Sequence, residues 1–288
     1  MTLSKRWDSR HIIGAILLVA LGVWVRLADW RDIWNIFMRD EEASHVILAP
    51  LVAACLIWAR RARAQRIRFK TSWLGPIVIA MGCIACYFGD GHGYQALRHF
   101  GAVSIAVGGL ITMLGRDVLV HFGPAFGALV FLIPMPPTFR QRISLPLMSV
   151  TAAVTQDILN VLGVDVTRSG NQLLVNGKEI LIVEACNGLR MFFTLVMVSY
   201  LVAFFVSLRG YVRILLVALS PLSAVLCNVI RLVPTVWVIG YGSKGIADDF
   251  HTAAGYIMLP VAFVMLFAIV WALRWAMVPV SPFTLARD

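Results

Sequence analysis

Apolar runs of roughly 17 to 20 residues recur along the whole chain, each the length needed to cross the hydrocarbon core of a bilayer as a helix. Inside a bilayer the backbone must satisfy its own N–H and C=O groups, which leaves helices or a closed barrel, and continuous apolar runs select helices. Only 14% of the 288 residues are charged, where soluble chains carry about a quarter. The expected fold is therefore an all-α polytopic membrane protein, a single integral domain over residues 1–288. About eight transmembrane helices are predicted, near Ile12–Ala28, Val46–Ala59, Trp73–Phe88, Phe100–Leu114, Val118–Pro134, Leu189–Leu208, Ile214–Ile230 and Thr252–Leu273.

Basic residues orient these runs. The net charge of +10 is gathered in short links, a pattern set by topology and anionic lipid headgroups and not by nucleic acid. Arg60, Arg61, Arg63, Arg66, Arg68 and Lys70 form the densest basic block, which the positive-inside rule places in the cytoplasm. Alternation then puts both termini, Arg116, Arg209, Arg213 and Arg274 inside. The link Gly89–His99 and the region Met135–Gly188 fall outside. The basic flank Lys5, Arg6 and Arg10 precedes a first span with no small-residue cleavage site after it, so that span is expected to be retained.

Two segments depart from the spanning pattern. Ile143–Leu162 is apolar but carries Pro146, Thr151, Thr155, Gln156 and Asp157, which suits an interfacial or re-entrant helix. Val164–Val183 alone has strand character, and Asn176-Gly177 is a tight-turn pair between Leu173-Leu174-Val175 and Ile180-Leu181-Ile182-Val183. A small external β-hairpin is predicted there, leading into Glu184-Ala185-Cys186-Asn187-Gly188-Leu189-Arg190. The 22 glycines fit a chain whose membrane helices pack closely.

The five cysteines lie mostly inside apolar runs and do not form a disulfide framework. Cys83-x-x-Cys86 has no second pair nearby and reads as ordinary buried thiols. His92, His99 and His121 fall on different links or spans, so no metal site and no organic cofactor is expected.

Chemistry-bearing residues gather instead in three later motifs: the run from Glu184 to Arg190, Asn228-Val229-Ile230-Arg231, and His251 after Asp248-Asp249-Phe250. Cys, Arg and His together supply a soft nucleophile, a fixed cation for a developing oxyanion and a proton carrier near neutral pH. The predicted topology puts Cys186 at the outer start of one span, Asn228 and Arg231 near the outer end of the next, and His251 past an outer loop Val238–Phe250. A helix N-terminus favours thiolate over thiol, Arg190 adds positive field, and Glu184 is expected to pair with Arg190 or Arg231. Each residue also has a plainer reading. A cysteine at a span end packs, an arginine at an interface reaches for headgroups, and a histidine after two aspartates is solvated.

These motifs resemble those of the exosortase/archaeosortase family, multi-spanning cysteine enzymes that process C-terminal sorting signals of the PEP-CTERM type. Ala43-Ser44-His45-Val46 and the later Trp58-Ala59-Arg60-Arg61 resemble that family's early segment, with Val46 where glycine is usual, and Asn187 stands where serine is commoner. The resemblance implies Cys186 as nucleophile, His251 as acid/base and Arg231 as oxyanion stabiliser, with Glu184, Asn187, Arg190 and Asn228 in support. It also implies an exported client carrying a recognition motif, a transmembrane helix and a basic tail, cleaved at the outer face of a bacterial inner membrane through a thioester. The ending at Ser281–Asp288 is expected of a stand-alone form. The competing class is a non-catalytic transporter or scaffold in exopolysaccharide export, which explains the apolar runs and basic links but not the grouping of Cys, Arg and His.

Overall fold

The computed structural model describes residues 9–40, 46–64, 67, 69–181 and 189–276. The chain is mainly helical and divides into two compact units. Four helices are long and apolar enough to cross a membrane, or up to six if each of two bent helix pairs is one span. Among the described residues, then, the full-length spans number four to six, and the expected count of about eight is not confirmed. Each predicted span does coincide with a helix, but the run at Leu48–Ala59 is only 12 residues long, which at 1.5 Å per residue reaches about 18 Å. Met191–Phe205 is likewise a shorter apolar helix.

In the first unit, α1 (Ser9–Val25) turns by 78° into α2 (Leu27–Arg39). The link expected between the first two spans is thus largely helical. It escaped the search for apolar runs because α2 is amphipathic, with Asp29, Arg31, Asp32 and Arg39 interspersed among Trp30, Ile33 and Phe37. Ile33 and Val46 are buried together, with Trp30, Ile36 and Leu132 against them. Helix α3 (Leu48–Ala59) and the single turn α4 (Arg61–Ala64) follow. Then α5 (Leu74–His92) and α6 (Gln95–Leu114) form a hairpin closed by Gly93, whose φ of +70° only glycine adopts readily. Glycines let these two helices touch: a methyl group at Gly82 would lie 2.9 Å from the Gly101 carbonyl oxygen, and one at Gly108 would lie 2.9 Å from that of Gly75. Helix α7 (Arg116–Ala128) and a 3-10 turn at Leu129–Leu132 complete this part.

The second unit begins within α8 (Pro137–Val161), the helix that covers the polar-apolar segment around Pro146. It is followed by three strands, β1 (Val166–Ser169), β2 (Gln172–Val175) and β3 (Lys178–Leu181), in an antiparallel sheet ordered β1-β2-β3. The expected hairpin is its β2–β3 half, with Val175 opposite Lys178 across Asn176 and Gly177, both at positive φ. Two central residues at positive φ match the right-handed strand twist, which is why an Asn-Gly pair sits there. The additional strand, β1, has only Val166 buried and gave no alternating signal. The sheet buries Val166, Leu173, Val175 and Ile180 against Met148, Ala152 and Leu159 of α8 and against Leu232 and Val236 of α10 (Gly210–Tyr241). Helix α9 (Leu189–Phe205) precedes α10, and α11 (Lys244–Ala276) follows it after only Gly242 and Ser243. The outer loop expected at Val238–Phe250 is thus largely the facing ends of two helices.

Candidate active site

Glu184, Cys186 and Asn187 lie outside the described residues, and Arg190 and His251 are described by their helical backbone alone. What the structure supplies is the framework around them. Helix α9 is described from Leu189, three residues beyond Cys186. Leu195 of α9, Ala224 and Cys227 of α10 and Ala262 of α11 form one buried cluster, with Met191, Phe192, Val261 and Met265 packed on it. The three helices that carry or follow the three motifs therefore share a core. Small residues at 224, 227 and 262 allow that close approach, and Cys227 Sγ lies 3.1 Å from Met265 Sδ. Cys227 is thereby a packing thiol.

Above that contact on α10, Asn228 is fully buried and its Oδ1 accepts a hydrogen bond from Arg231 Nη2 at 3.0 Å. The spacing of three places both side chains on one face of the helix. The Asn228 Nδ2 group is buried with no partner among the described residues. A buried amide donor left unpaired costs about 1–3 kcal/mol, and this one lies on the residue that holds the Arg231 guanidinium. The backbone here is also unusual. Pro234 denies the Ile230 carbonyl its helical partner, and the Thr235 hydroxyl donates to the Arg231 carbonyl at 2.7 Å.

Helices α10 and α11 run antiparallel through their two-residue connection. Counting from the Cys227–Met265 contact along straight helices, Arg231 lies about 6 Å and His251 about 21 Å toward the turn. The two are at the same end of the helix pair but not at one height. The sheet closes that end of α10: Lys178 Nζ donates to the carbonyls of Ile239 at 3.0 Å and Gly242 at 3.1 Å, and Asn176 Nδ2 to that of Gly240 at 3.4 Å. A cation on the last carbonyls of a helix offsets the negative end of its dipole.

A second polar cluster, within the first unit, was not legible in the sequence because its members are far apart along the chain. Arg26 Nε donates to buried Asp29 at 2.6 Å and its Nη1 to Asp90 at 3.2 Å, and Arg98 lies 3.4 Å from Asp29 and from Asp32. His99, 1% exposed, bonds Asp32 through Nε2 at 3.0 Å, and Gln95 donates to the same carboxylate at 2.7 Å. Burial pushes the Asp32 carboxyl up, but the hydrogen bonds from Gln95 and His99 and the charges of His99 and Arg98 outweigh it and hold the group below the usual carboxylate range. The network fastens α2 to the α5–α6 turn.

The CxxC pair divides: Cys83 is exposed, whereas Cys86 is buried with its thiol 3.6 Å from the Arg98 carbonyl. Among the described residues no group of three His, Cys, Asp or Glu side chains is placed to hold a metal ion. Compared with known proteins, residues 30–268 match the family model of the transmembrane exosortases, a span that runs across both units. No curated protein and no solved structure matches the chain.

Proposed function

The chain belongs to the transmembrane exosortase family, and on that premise we propose that it is a cysteine transpeptidase or protease working at the outer face of a bacterial inner membrane. Its substrates are exported proteins that end in a PEP-CTERM-type signal: a short recognition motif, one transmembrane helix and a basic cytoplasmic tail. The basic block at Arg60–Lys70 and both termini face the cytoplasm, and the sheet and the Cys186 segment face the periplasm. The whole chain acts as one integral enzyme, embedded among lipids that the basic links engage.

The observation that carries this reading is the buried Asn228–Arg231 couple, whose amide donor has no partner among the described residues, on a helix that shares a core with α9 and α11. In the proposed reaction the Cys186 thiolate attacks the scissile carbonyl. The charge that develops on the carbonyl oxygen is stabilised by Arg231, whose guanidinium Asn228 holds in place, and Asn228 Nδ2 is a second donor. The proton from the thiol, carried on His251, passes to the leaving amine as the C–N bond breaks. The thioester is then resolved by an acceptor amine or by water, and the thiol returns. The difference of roughly 15 Å in height between Arg231 and His251, from the same count at 1.5 Å per residue, must be spanned by their side chains reaching toward one another across the client. Glu184, Asn187 and Arg190 orient the nucleophile. This chemistry needs neither a metal nor an organic cofactor.

The test is co-expression with a reporter protein ending in a PEP-CTERM-type signal. The reporter should be shortened by the parent enzyme and left intact by Cys186→Ala. Shortening by Cys186→Ala at the parental rate removes the reading.

A further inference from the structure

The sheet has two edges, and the structure treats them differently. In an antiparallel ladder, alternate residues of an edge strand turn their N–H and C=O groups away from the neighbour. With Ser169 facing Gln172 and Val175 facing Lys178 across two-residue turns, those outward residues are Val166 and Arg168 on β1, and Glu179 and Leu181 on β3. On β1 the outward groups of Val166 are taken up by α8: its N–H donates to Asn160 Oδ1 at 3.1 Å, and its carbonyl accepts from Gln156 Nε2 at 3.1 Å. On β3 the outward groups of Glu179 and Leu181 have no partner among the described residues.

An unprotected edge strand is a template for one more strand, and proteins ordinarily blunt such edges. Here one edge is engaged by two side chains at Val166, and the other has no partner at either outward residue among the described residues. The open strand is also held firmly, through Lys178 and Asn176 on the end of α10 and through Ile180 in the core. The chain leads from its end to Cys186 in five residues, a distance of at most about 17 Å. A peptide paired along β3 therefore lies within reach of the thiol. Backbone pairing accepts many side-chain sequences, as an enzyme with several clients requires.

We propose that the free edge of β3 is the docking site for the client, which adds the extended segment preceding its transmembrane helix to the sheet as a fourth strand through the backbone groups of Glu179 and Leu181. The proposal rests on the functional reading above and assigns how that substrate is held.

Proline tests it, because proline at an outward position removes a docking donor without removing a ladder bond. The probe is a purified reporter ending in a PEP-CTERM-type signal, bound to the full-length Cys186→Ala protein in lipid nanodiscs. Glu179→Pro should weaken binding about tenfold, the effect of losing a hydrogen bond and close strand contact. Glu179→Ala, which keeps the amide, and Arg168→Pro, on the β1 edge, should bind as the parent does. In the active enzyme Glu179→Pro should slow processing while alkylation of Cys186 by a small impermeant reagent keeps its rate. As a measurement free of mutation, the reporter should slow amide hydrogen exchange at Glu179 and Leu181. Parental affinity in Glu179→Pro, or unchanged exchange at both amides, overturns the docking site even where Cys186→Ala abolishes processing. Full processing by Cys186→Ala overturns both readings.

Discussion

Arg231 and Asn228 are joined by a 3.0 Å hydrogen bond along one face of α10, and it is the asparagine, not the arginine, that is fully buried. The amide therefore fixes the guanidinium from beneath. Arg231→Ala should lower client processing by about 100- to 1000-fold, the usual cost of losing an oxyanion donor. Arg231→Lys keeps the charge but loses the planar fork and should be severely impaired, while Arg190→Lys should be affected less. The ratio of uncleaved to cleaved client at matched expression reads all three, and normal processing by Arg231→Ala with loss in Arg190→Ala would reverse the two roles.

The thiols separate in the same assay. Cys186→Ala should abolish processing with membrane insertion intact, and Cys186→Ser should retain at most a trace. His251→Ala should be as inactive as Cys186→Ala. Cys83→Ala combined with Cys86→Ala should be tolerated, since neither lies on the helices that share the α9–α11 core.

Orientation is checked by fusion reporters. One placed after Arg68 should report the cytoplasm and one after Gly170 the periplasm. The same side from both would put the sheet on the wrong face of the membrane for an exported client.

Asp32 gives a pH-dependent prediction. Its carboxyl is held below the ordinary range in the folded protein, so its contribution to stability is complete above the unfolded carboxylate value and is lost as pH falls through the lowered one, from about pH 4 downward. Thermal unfolding of the detergent-solubilised protein should show that decline. Asp32→Asn should flatten it and, by giving buried His99 a neutral amide oxygen in place of a charged acceptor, cost about 1 kcal/mol at neutral pH. An unchanged acid profile would show that the pair does not fasten α2.

The α5–α6 hairpin should be intolerant of bulk only where the helices touch. Gly82→Leu forces a side chain onto the Gly101 backbone and should cost about 1–3 kcal/mol or more. Gly91 has open space around its missing side chain, so Gly91→Ala should be neutral or slightly stabilising. Equal losses in the two variants, read by limited proteolysis in membranes, would contradict the close packing.

The helices were legible because a long apolar run has one fate in lipid. Their ends were not: the span was expected to close near Ile230, yet α10 continues through Pro234 to Tyr241, where Leu232 and Val236 pack under the sheet. Asn176-Gly177 announced its turn through a backbone requirement, while β1, with one buried residue, showed only in the strand character of Val164–Val183 and not as a strand of its own. Helix α2 and the Asp32–His99 pair were invisible for a common reason, since each depends on partners far along the chain. At the candidate site, sequence spacing alone paired Asn228 with Arg231, but no spacing could reveal that the asparagine amide keeps a donor without a partner among the described residues.

The sheet's dependence on α10 also sets an order of assembly. Residues Val166 to Leu181 leave the ribosome before α9 and α10, yet the apolar face of their sheet is covered in part by Leu232 and Val236, and Lys178 clamps carbonyls at Ile239 and Gly242. Until the second half of α10 is inserted, the three strands have only α8 beneath them, and the turn at Asn176-Gly177 lacks the helix end it clamps. Completion of the sheet is thus deferred to the last stages of biogenesis, so a truncated or stalled chain carries the proposed nucleophile beside a sheet that is not yet fully covered.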